Sequence, residues 1–296
     1  MKYIIPLLII LSVISASCEN PTFEPYTDEY ALTDIATKDF TTLFETKLVS
    51  LEIPETTMFA YSDDVEVIHF WRNLVRSGKE YIIETEYSDT NAIDVFDKAW
   101  ITVNDTIITT FNSIAEDTSA EPDTIIRLQK QVTEFVSVTG FLERLGTPYE
   151  PRNGWIMNKI GGASGKKPAA STYNAFDSLY LISLSRGEFA YDIDDIIGLD
   201  SLYNIPRFHP EEGITVEFLA RDTTGEFTVH VGRGEYTLYK PDYLGDKRYR
   251  TFITTPAQSG YFHITLDAVN SQAFTDTSAY NFRRLSMVFL VETDGS

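Results

Sequence analysis

Two rhythms of apolar residues run along the chain. Behind a candidate cap at Asp39, Phe40, Leu43, Phe44, Leu48 and Leu51 recur at helical spacing until Pro54 ends the segment. Residues 57–61 form a short strand candidate. Asp63 and Asp64 then offer caps for a second predicted helix, with Val65, Ile68, Trp71, Leu74 and Val75 on one stripe and Gly78 in the place of a C′ residue. After Gly78 the period falls to two. Strands are predicted over 81–87, 100–111, 125–142 and 154–160. In the third of these, Ile126, Leu128, Val132, Val136, Val138 and Leu142 alternate with Arg127, Gln129, Gln131, Thr133 and Phe135, and Gly140 marks a candidate bulge.

Residues 161–170 are small, polar and proline-terminated, and read as a hinge. Beyond them the pattern is strand, turn, strand. Ile214, Val216 and Phe218 alternate with Thr215 and Glu217. Phe227, Val229 and Val231 alternate with Thr228 and His230. Phe262, Ile264, Leu266 and Ala268 alternate with His263, Thr265 and Asp267. With 179–185, 236–238, 249–254 and 285–291, this makes seven short strands, the signature of an antiparallel β-sandwich.

The amino terminus has a different character. Lys2 precedes a 12-residue apolar run from Tyr3 to Ile14, too short to span a bilayer. Ser15, Ala16 and Ser17 follow, then Cys18, the one cysteine of the chain. Small residues directly before a cysteine resemble the lipobox of a bacterial lipoprotein precursor, although Ser15 stands where that family prefers Leu, Val or Ile. The resemblance implies cleavage after residue 17, acylation of Cys18 and a place in the cell envelope, in the outer membrane. An ordinary secretory signal cut nearby would instead leave Cys18 a free thiol. Residues 18–32, with Pro21, Pro25 and four acids, read as an extended tether.

Helices followed by long meandering strands, with Phe141-Leu142-Glu143-Arg144-Leu145-Gly146 leading to Gly154-Trp155-Ile156, resemble an NTF2-like α+β domain over residues 33–165. Residues 176–296 resemble an immunoglobulin-like sandwich without the usual cysteine pair or core Trp, and 166–175 would be the linker. The expected fold class is therefore α+β: a curved antiparallel sheet with helices, then an all-β module. An NTF2-like cone implies a pocket. Trp71, Tyr87, Trp100, Phe135 and Trp155 are its candidate wall, with core packing as the alternative role for the three tryptophans. Some members of that family are enzymes, which makes His69 the candidate base of a catalytic alternative acting on a small hydrophobic substrate.

Charge narrows the partners. Asp and Glu number 44 against 24 Lys and Arg, for a net charge of −20. Such a field repels nucleic acid and anionic membranes, so attachment would fall to the acyl chains. No nucleophile elbow or dinucleotide fingerprint appears. Gly165-Lys166 lacks the rest of a P-loop, and Ser164-x-x-Lys167 lacks the partner motifs of a serine acyltransferase. His230 and His263 fall on polar strand faces and could share a metal only if those faces meet, while the acids Asp192, Asp194, Asp195 and Asp200 lack the ligand spacing of a calcium loop, with Gly198 misplaced for it. The expectation is a non-catalytic envelope lipoprotein without metal or cofactor, binding a small apolar ligand or an envelope protein.

Overall fold

Strands dominate the computed structural model, which describes residues 27–49, 59–60, 65–88, 96–117, 121–122, 124–167, 175–221, 225–277 and 279–293. Among these residues helix is confined to short pieces. α1 (Asp28–Asp34) is capped by Thr27, whose hydroxyl oxygen accepts from the Tyr30 N–H, and it widens into one π turn over Ile35–Asp39. Arg152 fastens this segment to the sheet, with Nε 2.6 Å from Asp39 and Nη1 2.6 Å from Asp34.

A short strand β1 (Phe59–Ala60) leads into β2 (Val65–Glu86), β3 (Lys98–Asp117) and β4 (Thr124–Arg144), an antiparallel meander. At about 3.4 Å per residue, the 20 residues of β3 run roughly 65 Å. β5 (Trp155–Ile160) pairs with the end of β4, and β6 (Ala163–Lys166) sits against its middle. Next come β7 (Phe176–Ser183), β8 (Gly187–Asp192), α2 (Ile193–Ile197), and the short β9 (Asp200–Ser201) and β10 (Arg207–Phe208). The remaining strands are β11 (Gly213–Ala220), β12 (Gly225–Arg233), β13 (Glu235–Tyr239), β14 (Asp242–Gly245), β15 (Arg248–Thr254), β16 (Gly260–Asn270) and β17 (Phe282–Val291).

These strands make two sheets. The larger follows the order β1-β2-β3-β4-β6-β17-β16-β12-β13, and the smaller β14-β15-β11-β7-β8. β6 is the splice: it bonds β4 on one side and β17 on the other. The larger sheet is rolled. β2 and β16 are five strand spacings apart in the order, about 24 Å if flat, yet Arg72 Nη1 on β2 lies 2.9 Å from Asp267 Oδ2 on β16. The result is three layers: the meander, then β17-β16-β12-β13, then the smaller sheet. Alternation on the middle layer divides its side chains. Phe227, Val229, Phe262, Ile264, Leu285 and Phe289 face the smaller sheet in one apolar core, while Thr228, His230, His263, Thr265, Asp267, Arg284 and Ser286 face the meander.

This architecture corrects the α+β expectation. From Val65 onward the predicted helix over 63–78 is the first part of β2, its candidate caps Asp63 and Asp64 lying outside the described residues, and Gly78 is a strand residue opposite Thr106 with open space where a Cβ would stand. Two bulges explain the misleading period. Ile68 and Val75 are extra residues where the β2–β3 register slips, so the buried set runs Val67, Phe70, Arg72, and a step of three enters a strand. Over the described residues 40–49 the helix predicted behind Asp39 is replaced by a turn and irregular backbone that bury Leu43, Phe44 and Leu48; Leu51 lies outside the described residues, and helix begins earlier, at Asp28, inside the stretch read as tether. Nor do the later strands stand apart as an immunoglobulin-like module, because β12, β13, β16 and β17 belong to the same sheet as the meander. Of the predicted hinge, 163–166 is strand β6, and Gly162 N–H bonds the Ile196 carbonyl. Residues 168–174, the signal segment and Cys18 lie outside the described residues.

Candidate functional site

The five side chains expected to line one pocket are distributed over the meander. Trp155 is buried in the apolar cluster at its base, with the Arg144 guanidinium 4.6 Å from its ring. Tyr87 is brought to the same arginine, which stands 5.9 Å from its exposed ring, and its hydroxyl donates to Asp28 at 3.1 Å. Trp100 lies on the opposite face of the sheet, 5.3 Å from its cross-strand neighbour Phe141. Phe135 shares that face, opposite Thr106. Trp71 pairs with Asn112, twelve residues up β3 from Trp100, about 40 Å away along the strand. Its ring is 5.0 Å from that of His69. No single cavity gathers the five.

Titratable groups do meet between the meander and the middle layer. Along β3, Ile107 belongs to one apolar cluster and Phe111 to another, with buried Thr109 between them. At that level Arg72 and Arg284 face Glu134 and Asp267 in a closed ring. Arg72 lies 3.2 Å from Glu134 and 2.9 Å from Asp267; Arg284 lies 3.0 Å from Glu134 and 3.2 Å from Asp267. The Tyr280 hydroxyl accepts from Arg72 Nε and donates to Glu134, both at 2.8 Å. Burial alone would raise the Asp267 pKa, but the two guanidiniums hold it below the carboxylate range. Burial pushes His230 down to about 3, against the pull of Asp267, and His263 down to about 4. His263 Nε2 lies 2.6 Å from the Thr42 carbonyl and must donate to it; Nδ1 then accepts from the Ser286 hydroxyl at 3.1 Å. All these groups are out of water, and the ring is matched in charge, so they lock the layers together.

An open groove lies on the outer face of the smaller sheet. Leu179, Leu181, Val216, Phe218 and Ile253 point into the core, which turns their alternates outward. Cross-strand register sets three rows on that face: Phe252, Thr215, Ile182, Glu188; then Asp242, Arg250, Glu217, Tyr180, Ala190; then Arg248, Leu219, Ser178, Asp192. Between them lies a groove of about 370 Å³ lined by Tyr180, Ile182, Glu188, Glu217, Leu219, Arg248 and Arg250. Glu217 is its fixed point, 9% exposed, while Arg248 and Arg250 are 52% and 46% exposed. Arg248 donates to Oε1 from Nε at 2.9 Å, and Arg250 to Oε2 from Nε at 3.0 Å and Nη2 at 2.7 Å. Against the upward push of partial burial, these bonds hold the Glu217 carboxyl below its usual range.

Sequence reasoning passed over this face. Its signal was present in the strand Arg248-Tyr249-Arg250-Thr251-Phe252, where two arginines and an aromatic ring fall on one side, opposite a strand whose outward residues include a lone acid, Glu217. Among the described residues no group of three or more His, Cys, Asp or Glu could hold a metal ion, and no helix is long and apolar enough to cross a membrane. Comparison with protein families, with curated proteins and with solved structures finds no match to this chain.

Proposed function

We propose that this is a non-catalytic lipoprotein of the cell envelope, held in the outer membrane by acyl chains on Cys18, that binds a ligand or envelope partner on the open face of its smaller sheet. One observation carries the binding role: Arg248 and Arg250 are clamped by the nearly buried Glu217, so a solvent-facing groove is lined by rigid donors beside apolar side chains. Preorganised side chains of this kind lose little rotamer freedom on binding. The acidic surface supports the anchoring role, since a chain with net charge −20 has no electrostatic hold on an anionic leaflet.

Two measurements test the two halves of this reading. Cys18→Ser should shift the protein from the membrane to the soluble envelope fraction and abolish labelling by a radioactive fatty acid. Equal membrane retention of both forms overturns the anchor. The soluble Cys18→Ser protein should co-sediment with washed, insoluble envelope material, and adding Ile182→Arg, which fills the groove from an outward position, should abolish that sedimentation. Unchanged sedimentation of the groove-filled protein overturns the binding face.

A further inference from the structure

We propose that the groove on the smaller sheet is a binding site for neutral saccharides. The inference rests on the reading of this face as the binding surface and names the class of ligand it takes.

Hydrogen-bonding capacity comes first. A guanidinium carries five N–H donors. Arg248 and Arg250 each spend Nε–H and one Nη2–H on Glu217, which leaves both Nη1 hydrogens and the second Nη2 hydrogen on each side chain turned away from that carboxylate. The remaining edge of each guanidinium is planar and two-pronged, the shape that spans adjacent hydroxyls on a pyranose ring. The carboxylate of Glu188 and the hydroxyl of Tyr180 add acceptors on the other side of the groove.

Charge decides against ionic ligands. Within the groove Arg248 and Arg250 are balanced by Glu217 and Glu188. The chain as a whole carries −20, so sulfated or uronic polymers are repelled at long range, and a cation entering the groove meets two arginines. An extended peptide is a poor fit for a different reason. Strand addition needs a free edge, and β11, which floors the groove, is already paired on both sides by β7 and β15. What is left is a neutral molecule that is polar at its rim and apolar on its faces. Tyr180, Ile182 and Leu219 supply apolar surface for the C–H faces of a sugar between the polar groups.

The groove volume of about 370 Å³ is at the small-molecule end of binding sites, but the face continues. Phe252 is 64% exposed on the same side as Arg250. Its ring lies across Gly213, where a Cβ would come within 2.3 Å of the ring, so the absence of a side chain at that position lets the ring lie down on the sheet. From Arg248 to Phe252 is about 14 Å along β15, room for a short oligosaccharide with Phe252 as an outer platform.

The test uses the full chain carrying Cys18→Ser. Neutral gluco-, manno-, galacto- and xylo-configured oligosaccharides, with sulfated and uronic counterparts, are arrayed, and affinities of those bound are measured by calorimetry. At least one neutral series should bind. Arg250→Ala and Tyr180→Ala should each weaken it about tenfold or more, the loss of one charge-assisted hydrogen bond or one ring contact. Arg250→Lys should recover little, because it keeps the charge and loses the fork. Phe252→Ala should weaken longer oligosaccharides and spare the disaccharide. Melting temperatures of all four variants, compared with the parent, separate lost binding from lost folding. Preference for the sulfated series, or binding that survives both alanine variants, overturns the proposal. So does silence across the neutral array while Ile182→Arg still abolishes envelope sedimentation; in that case the face binds a different class of partner. Only unchanged sedimentation of Ile182→Arg would remove the face itself.

Discussion

Arg72→Met should be among the most damaging single changes in this protein. Arg72 reaches Asp267 at 2.9 Å, Glu134 at 3.2 Å and Tyr280 at 2.8 Å, and is 2% exposed. Its removal leaves two buried carboxylates facing the single guanidinium of Arg284, a net negative charge without solvent. Breaking a buried pair in this way costs about 3–5 kcal/mol, a large part of the roughly 5–15 kcal/mol that holds a folded domain. Asp267→Leu should cost a similar amount by the opposite imbalance. The double variant Arg72→Met/Asp267→Leu restores neutrality, with Arg284 still bonded to Glu134 at 3.0 Å. It should therefore lose at least about 2 kcal/mol less than the sum of the two single losses. Urea unfolding, followed by the fluorescence of Trp71, Trp100 and Trp155 and checked by circular dichroism, gives all four corners of the cycle. Single losses under about 1 kcal/mol, or losses that simply add, would refute the argument that the ring is stabilised as a closed, neutral set.

Two pH experiments follow from the same burial. His263 is pushed down to about 4, so its unfolded form gains a proton first as pH falls below 6.5; the stability it contributes is complete above 6.5 and is lost between 6.5 and 4. His263→Asn should be less stable than the parent at pH 7.5, and that difference should shrink by about 2 kcal/mol at pH 5; a pH-independent difference in urea unfolding would contradict it. Glu226 has the opposite sign. Burial pushes its carboxyl up to about 7, so its ionisation opposes folding above that pH and the cost disappears as pH falls toward 4.5. Glu226→Gln should therefore raise the melting temperature at pH 8 and lose that advantage by pH 5, and a gain of equal size at both would rule this out.

Strands were legible wherever one face is apolar and the other polar, whether or not the polar face ends up in water. The predictions over 100–111, 125–142, 227–231 and 262–268 all fall inside β3, β4, β12 and β16, because two-residue alternation survives along each. The start of β2 was not legible, since its two bulges insert residues into the period. Connectivity was hidden for a different reason. Nothing local in Ala163-Ser164-Gly165-Lys166 shows that four residues will join β4 to β17, yet that splice makes one sheet of two apparent halves. The polar ring was equally hidden. Asp267 reads as a polar alternate of a strand and Glu134 lies unremarked in the strand over 125–142, while Arg72 falls in a predicted helix and Arg284 just ahead of a predicted strand; all four become interior when the sheet rolls. The groove was readable in principle, because Arg248, Arg250 and Phe252 alternate in a single strand, but the pairing with Glu217 needs the register between β11 and β15.

Two pairs of arginines organise this molecule, and their counter-charges separate their roles. Arg72 and Arg284 face two carboxylates, each carboxylate bonded by both guanidiniums, with every member out of water. A ligand entering that ring would exchange one charge-assisted bond for another with no net gain, and the ring is closed to it. Arg248 and Arg250 converge on one carboxylate at the surface, so three of the five donors on each are turned away from it beside a groove. The same pairing is thus structural where every charged group is enclosed in the interior and suited to recognition where the guanidiniums keep uncommitted donors facing solvent. Substitution should separate the two as well. Changes in the first pair should lower unfolding stability and leave the affinity of the folded fraction intact, whereas changes in the second should lower affinity and leave the unfolding midpoint close to that of the parent.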